Sequence, residues 1–223
     1  MIKVLVSGPG GDVGQGVISC LQDSSIDMKI YKIGASLEDA GLYGDSLSYI
    51  SPRADDLSYI DYICHFIQTH GVDIFIPCID SEILSISQHK SLIESATGAH
   101  IFVGSPQQIE ICTDKFQTSR FLKEKGFCGP ETYIFDQIPR DLTYPIILKP
   151  RIGSGSKDIH LIRNKQQLFS FERDNTYILQ EYRDGDEYTA GIYLGDDNEV
   201  KGTCIFKRKL KNGSTWYAER VVD

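Results

Sequence analysis

The feature that most constrains this chain is a change of pattern near residue 105. Before it, short apolar runs alternate with segments whose apolar residues recur every three or four positions. Residues 3–7 read as a buried strand, a glycine cluster follows, and Val13, Val17 and Leu21 then mark one face of a helix. Residues 28–33 form a second strand, and Leu57, Ile60, Cys64 and Ile67 predict a helix that Gly71 ends. A strand over 72–76, a helix over 82–96 and a strand over 101–103 complete the series. Such alternation implies βαβ units and a parallel sheet, here a small doubly wound domain over residues 1–105. Beyond it, Ser105-Pro106 pairs a helix cap with proline at the first helical position, and Thr113 caps a second helix that runs to Gly126. Strands are then predicted over 132–135, 145–149, 159–162, 177–181, 188–194 and 200–206. Turns such as Asp184-Gly185-Asp186 and Asp196-Asp197-Asn198 join them as antiparallel sheet. The expected fold class is α/β: a doubly wound parallel-sheet domain followed by an α+β domain over 106–223.

Composition narrows the function classes. The 223 residues are 41% hydrophobic and 24% charged, enough apolar material for a sizeable core. A net charge of −8 without a Lys/Arg block argues against nucleic acid or an anionic membrane as partner. The longest apolar runs, such as 74–76 and 146–148, are far short of the ~20 residues that span a bilayer. The first six residues reach the glycine cluster too soon to supply a signal-peptide apolar region. The six cysteines form no C-x-x-C pair or zinc-ligand spacing, and each sits in or beside an apolar stretch. They read as reduced core residues, with the cytoplasm as the expected location.

Two glycine-rich segments are candidates for phosphate binding. Gly8-Pro9-Gly10-Gly11-Asp12-Val13-Gly14-Gln15-Gly16 lies between a strand and a helix, and Gly10-x-x-x-Gly14-x-Gly16 has the spacing of some NAD(P)-binding dehydrogenases. The second predicted strand, however, ends in Tyr31-Lys32-Ile33-Gly34-Ala35-Ser36, without the acid that would hold a ribose. A dinucleotide site and a tight turn that lets strand and helix pack closely are both open readings. The second segment runs Lys149-Pro150-Arg151-Ile152-Gly153-Ser154-Gly155-Ser156-Lys157. A strand delivers Lys149, and a Gly/Ser loop follows whose N–H groups can approach phosphate oxygens beside that point charge. No Gly-Lys dipeptide occurs, so it is not a Walker A loop. Upstream, Asp114-Lys115 opens a helix; downstream, an apolar strand leads through Gln180-Glu181-Tyr182 into an acidic loop and Glu187. A strand-to-loop hinge can present backbone groups to an adenine edge, and a carboxylate a few residues later can accept ribose hydroxyls.

Lysine, then lysine with a Gly/Ser loop, then a Glu hinge and a further Glu, in this order, resembles the ATP-grasp superfamily. The likeness covers about residues 100–208, and the preceding domain, including Ile74-Phe75-Ile76-Pro77-Cys78-Ile79-Asp80-Ser81-Glu82, is similar to the one found before that fold. The carbamoyl-phosphate-synthase large-subunit-like ligases look nearest, with Phe206-Lys207-Arg208-Lys209-Leu210 similar to a basic strand there. The resemblance implies a lid subdomain over about 113–182 and the start of a larger subdomain over 183–223. It implies that Lys115 and Lys149 contact ATP phosphates under a flexible loop of Gly153, Ser154, Gly155 and Ser156. Gln180, Glu181 and Tyr182 would hold the adenine, Glu187 the ribose, and Arg208 with Lys207 the acyl phosphate or substrate carboxylate. The implied reaction phosphorylates a carboxylate of unidentified structure, and an amine or ammonia attacks the acyl phosphate. The family's Mg²⁺ ligands end in a Glu-x-Asn pattern that is absent here. The metal ligands are therefore expected beyond Asp223, and this chain by itself is expected to be inactive. Alternatives are an NAD(P)-dependent oxidoreductase using residues 8–16 and a non-catalytic nucleotide-binding protein. A homo-oligomer is compatible with the sequence.

Overall fold

The computed structural model describes residues 1–43, 47–153, 155–195, 197–211 and 213–222. The chain divides into two compact units, Met1–Glu110 and Ile111–Asp223.

In the first unit the elements run β1 (Ile2–Ser7), α1 (Asp12–Gln22), β2 (Met28–Gly34), β3 (Ser48–Ile50), α2 (Tyr59–His70), β4 (Ile74–Ile76), α3 (Asp80–Thr97) and β5 (His100–Ile101). The sheet order is β3-β2-β1-β4-β5 and every pairing is parallel. The order reverses between β1 and β4, the switch point of a doubly wound sheet. Parallel strands are covered on both faces, which is why Val4, Leu5, Val6 and Ser7 are all buried in succession. The core gathers Leu5, Tyr31, Ile33, Ile63, Phe75, Ile86 and Ile101. In α2, Tyr59, Ile63, Phe66 and Ile67 share the buried stripe, and Gly71 ends the helix at φ +61°. On α1, Gly14, not Val13, meets the strands; Val13 is 62% exposed. A Cβ on Gly14 would overlap the Gly8 carbonyl, so glycine is what lets α1 press against the end of β1. Strand β3 carries no apolar run long enough to predict it from sequence and exists by pairing with β2.

Helix α4 (Pro106–Thr113) starts at the expected Ser-Pro pair, and Ser105 and Gln108 cap it reciprocally. The next helix, α5 (Lys115–Glu124), is capped by Asp114 and not by Thr113: the Asp114 carboxylate accepts from Phe116 N–H, while Thr113 closes α4.

The second unit continues with β6 (Thr132–Ile134), β7 (Ile146–Pro150), β8 (His160–Ile162), the single-turn α6 (Lys165–Leu168), β9 (Tyr177–Glu181), β10 (Glu187–Leu194), β11 (Val200–Lys211) and β12 (Ser214–Arg220). These strands make a four-stranded sheet, β6-β9-β7-β8, and a three-stranded one, β10-β11-β12, both antiparallel. Phe135, Ile146, Leu148, Ile162, Leu168 and Leu179 form the core on one face of the four-stranded sheet. The three-stranded sheet is a different environment: β10 is exposed along its whole length. β11 runs five residues further than the apolar pattern predicts, because Lys207, Arg208 and Lys209 are zipped to β12.

The α/β class with a parallel sheet and antiparallel sheets agrees with the sequence reading. The cysteines are free but are not core residues: Cys20, Cys112 and Cys128 are exposed and Cys64, Cys78 and Cys204 half-buried, because each sits at the margin of its apolar stretch. No helix among the described residues is long and apolar enough to cross a membrane.

Candidate functional site

The site grows out of strand alternation. Along β7, Ile146 and Leu148 face the core, which turns Ile147 and Lys149 to the other side. Opposite them on β9, Gln180 pairs with Ile147 and Ile178 with Lys149, so Gln180 and Lys149 are diagonal neighbours on that second face. Lys149 Nζ donates to Gln180 Oε1 at 2.7 Å, and Gln180 Nε2 donates to Thr132 Oγ1 on β6 at 2.9 Å. A polar relay therefore crosses three adjacent strands and fixes the ammonium group.

Lys115 reaches the same place from the first turn of α5. Its Nζ donates to the carbonyls of Gly153 at 2.8 Å and Arg151 at 3.3 Å, and its own N–H donates to Arg151 O at 3.0 Å. Lys115, Lys149, Gly153, Gly155, Ser156 and Asp158 line one open cavity of about 560 Å³, within the range of small-molecule sites. Burial lowers the pKa of both lysines, and for Lys149 the facing Lys115 charge lowers it further. Both ammonium groups hydrogen-bond to neutral oxygens, so the cavity holds two positive charges whose repulsion an anion would relieve.

The loop between β7 and β8 is shaped for close approach of its backbone. Gly153 and Gly155 have φ of +134° and +70°, and Ser156 and Asp158 also adopt positive φ. The loop is tied at both ends. Arg151 Nη2 donates to Asp114 Oδ2 at 2.6 Å, its Nη1 to Asn175 O at 3.1 Å, and its backbone N–H to Thr176 O at 2.8 Å. At the far end, Asp158 accepts from the Tyr177 hydroxyl and is paired with His160 Nε2 at 2.6 Å. Gly213, in the β11–β12 turn, lies so close to the Gly155 carbonyl that a Cβ there would overlap it. Asp114 and Arg151 were given no role from sequence. Their only signal is position, one residue before Lys115 and two after Lys149, and nothing in the chain order pairs them.

The structure thus brings together Lys115, Lys149, Gly153, Gly155, Ser156 and, through Lys149, Gln180. Ser154 lies outside the described residues. Glu181 pairs with Ile146 and so projects from the opposite face of the sheet. There it bonds Arg183 at 2.9 Å and Glu131 N–H at 3.2 Å, and with Tyr182 it lines a separate cavity of about 380 Å³. Glu187 and Arg208 are cross-strand partners on β10 and β11: Arg208 Nη2 donates to Glu187 Oε1 at 2.6 Å. Beside them Lys207 pairs with Asp186 at 2.6 Å. Arg208 Nε is the one buried side-chain nitrogen or oxygen without a hydrogen-bond partner among the described residues.

Among the described residues no group of three or more His, Cys, Asp or Glu side chains is placed to hold a metal ion. These residues do not supply the Mg²⁺ site that the resemblance implies. Within the glycine cluster at 8–16, Gly8, Gly10 and Gly14 are packed against their own chain. A Cβ on Gly10 would meet the Asp39 carboxylate, and one on Gly41 would meet the Pro9 backbone, a close-packed turn.

A doubly wound unit is thus followed by an antiparallel unit in which two lysines face a glycine loop across an open cavity. Residues 112–218 match the family model described as an ATP-grasp domain, which supports the ATP-grasp superfamily for that part of the chain. It is 35% identical over 100 residues to an uncharacterized protein of Mycoplasma pneumoniae, a match covering 42% of this chain and 34% of that one. It is 31% identical over 106 residues to D-alanine–D-alanine ligase of Lacticaseibacillus casei, covering 45% of this chain and 26% of the ligase. The crystal structure of carboxyaminoimidazole ribonucleotide synthase from Aspergillus clavatus, complexed with ATP, superposes with a TM-score of 0.67 at 12% identity. That match covers 96% of this chain and 56% of the synthase, and it shows the shared fold. The chain therefore matches about a third or less of the length of these two relatives and just over half of the solved structure.

Proposed function

We propose that the chain is the ATP-binding portion of an ATP-dependent ligase that joins a carboxylate to an amine or to ammonia. The observation that carries the proposal is the pair of half-buried ammonium groups, Lys115 and Lys149, converging on a glycine loop with neutral oxygens as their hydrogen-bond partners among the described residues. In this reading the domain before the ATP-grasp fold spans residues 1–105, and 106–223 begin the ATP-grasp domain with a lid over about 113–182. ATP, when bound, supplies the γ-phosphoryl group that turns the carboxylate into an acyl phosphate open to attack by the amine. The chain's own residues do the holding. Lys115 and Lys149 offset phosphate charge, and the N–H groups of Gly153, Gly155 and Ser156 point backbone dipoles at the phosphate oxygens. Gln180 keeps Lys149 extended; the β9 hinge at Glu181 and Tyr182 offers backbone groups to the adenine, and Glu187 offers a carboxylate to the ribose once it exchanges Arg208 for it. The released Arg208 then faces a carboxylate or acyl phosphate. The basic segment Phe206-Lys207-Arg208-Lys209-Leu210 favours the carbamoyl-phosphate-synthase-like branch.

Isothermal titration of the chain with ATP and, separately, NADPH tests the proposal. Saturable ATP binding with no NADPH binding is expected. NADPH binding without ATP binding would move the site to the first unit, and binding of neither would remove the nucleotide reading.

A further inference from the structure

Two like charges do not stay face to face in a half-buried cavity unless something holds them there. Burial lowers the pKa of both lysines, the Asp114 charge offsets part of this at Lys115, and Lys115 adds its repulsion to Lys149. Lys149 is held by its strand and by Gln180. Among the described residues Lys115 is held by the carbonyls of Arg151 and Gly153 and by its own N–H to Arg151 O. Arg151 itself is anchored by its side chain and by its N–H to Thr176 O at 2.8 Å. Its guanidinium bonds Asp114 Oδ2 at 2.6 Å and Asn175 O at 3.1 Å and lies 5.8 Å from the centre of the Phe116 ring. Asp114 is engaged twice over, accepting from Phe116 N–H as the cap of α5 as well as from Arg151. Both partners are largely buried, at 13% and 24% side-chain exposure.

We propose that Asp114 and Arg151 are positioning residues for the anion site: their ion pair locks the first turn of α5 to the exit of β7, setting where Lys115 stands opposite Lys149. It also engages the carboxylate next to Lys115 in sequence, so that Asp114 offsets the charge of the lysine meant for the ligand only in part. The inference rests on the reading of the cavity as the phosphate site and adds two residues that touch neither phosphate nor base. Removing Arg151 has two consequences. Lys115 loses its fixed carbonyl partners, and Asp114 is freed to pair with it.

The test compares ATP and AMP binding to the chain and to Arg151→Ala by calorimetry, with the unfolding midpoint measured alongside. AMP carries the adenosine and one phosphate but not the β- and γ-phosphates that the lysine pair addresses. The expected result is a loss of about tenfold or more in ATP affinity with AMP affinity retained. Equal losses for ATP and AMP in the folded variant, or an unchanged ATP affinity, would overturn the positioning role. Should Arg151→Ala not fold, Arg151→Lys keeps the charge but not the two-way grip on Asp114 and Asn175. ATP must then bind more weakly relative to AMP, or the idea fails. If the unsubstituted chain binds ATP and Lys149→Ala abolishes that binding while the Arg151 variants leave it intact, the site stands and the positioning role alone falls. If the unsubstituted chain does not bind ATP, the site reading fails and this inference goes with it.

Discussion

Replacing Lys149 with methionine should separate stability from ligand binding. Methionine keeps most of the aliphatic stem that runs between β7 and β9 but removes the ammonium group. Two terms oppose each other in the folded state. The hydrogen bond to Gln180 Oε1, at 2.7 Å and charge-assisted, is worth about 1.5–3 kcal/mol. Against it stand the desolvation of a half-buried charge and the repulsion from Lys115, the two causes that lower the lysine's pKa. Replacing a buried charge by an apolar side chain of similar volume is commonly neutral or stabilising. The net change is expected within about 1 kcal/mol, a shift of roughly 5 °C or less in the unfolding midpoint. Binding has no such compensation. Losing one charged contact to a phosphate in a shielded site costs about 2–5 kcal/mol, so ATP affinity should fall at least roughly thirtyfold. Calorimetry with ATP, AMP as the control ligand and a thermal melt on the same sample read all three quantities. If the variant binds ATP within about threefold of the parent, or loses ATP and AMP equally as its melting point collapses, the argument from the lysine pair is refuted.

Other expectations follow from particular contacts. Gly14→Ala places a Cβ against the Gly8 carbonyl and should destabilise the first unit by about 1–3 kcal/mol, whereas Gly16→Ala has open space and should stabilise α1 by up to about 1 kcal/mol. Urea denaturation showing the same effect for both would contradict the close-packed turn. Burial raises the Asp114 carboxyl, but the Arg151 hydrogen bond, the Phe116 N–H and the Arg151 charge outweigh it and hold its pKa below the usual range. A pKa lower in the folded than in the unfolded chain gives stability that is complete above about pH 4 and is lost as the pH falls through the folded value. The stability gap between the parent and Asp114→Asn should therefore be constant above pH 5 and narrow under more acidic conditions; a gap that widens in acid would contradict the pairing.

The α/β class was legible because burial imposes periodicity. The unbroken apolar run of β1 and the helix of Tyr59–His70 need no tertiary information to be read. The stripe Leu57, Ile60, Cys64 and Ile67, however, is out of phase: Leu57 precedes the helix and is fully exposed, and Tyr59, Ile63, Phe66 and Ile67 form the buried face. Lys149 and its glycine loop were legible for a related reason, since positive φ at Gly153 and Gly155 is a local demand written in residue type. The elements that escaped were those held by pairing and not by burial: β3, the basic second half of β11, and β12. Val13 misled because spacing marks a stripe of α1 but not how far it reaches, and the contact at its first turn belongs to Gly14.

The sequence by itself determined where the backbone bends, which stretches are buried, and that two lysines and a glycine loop are available for an anion. Only the tertiary structure decided who meets whom. β-sheet register put Gln180 beside Lys149 and turned Glu181 to the opposite face, although the two are adjacent in the chain. Chain closure across 37 residues joined Arg151 to Asp114, and hairpin register paired Arg208 with Glu187 across 21. Local composition fixes the conformation of a few residues at a time. A salt bridge between distant residues is set by how whole strands slide and stack, and no short segment carries that information.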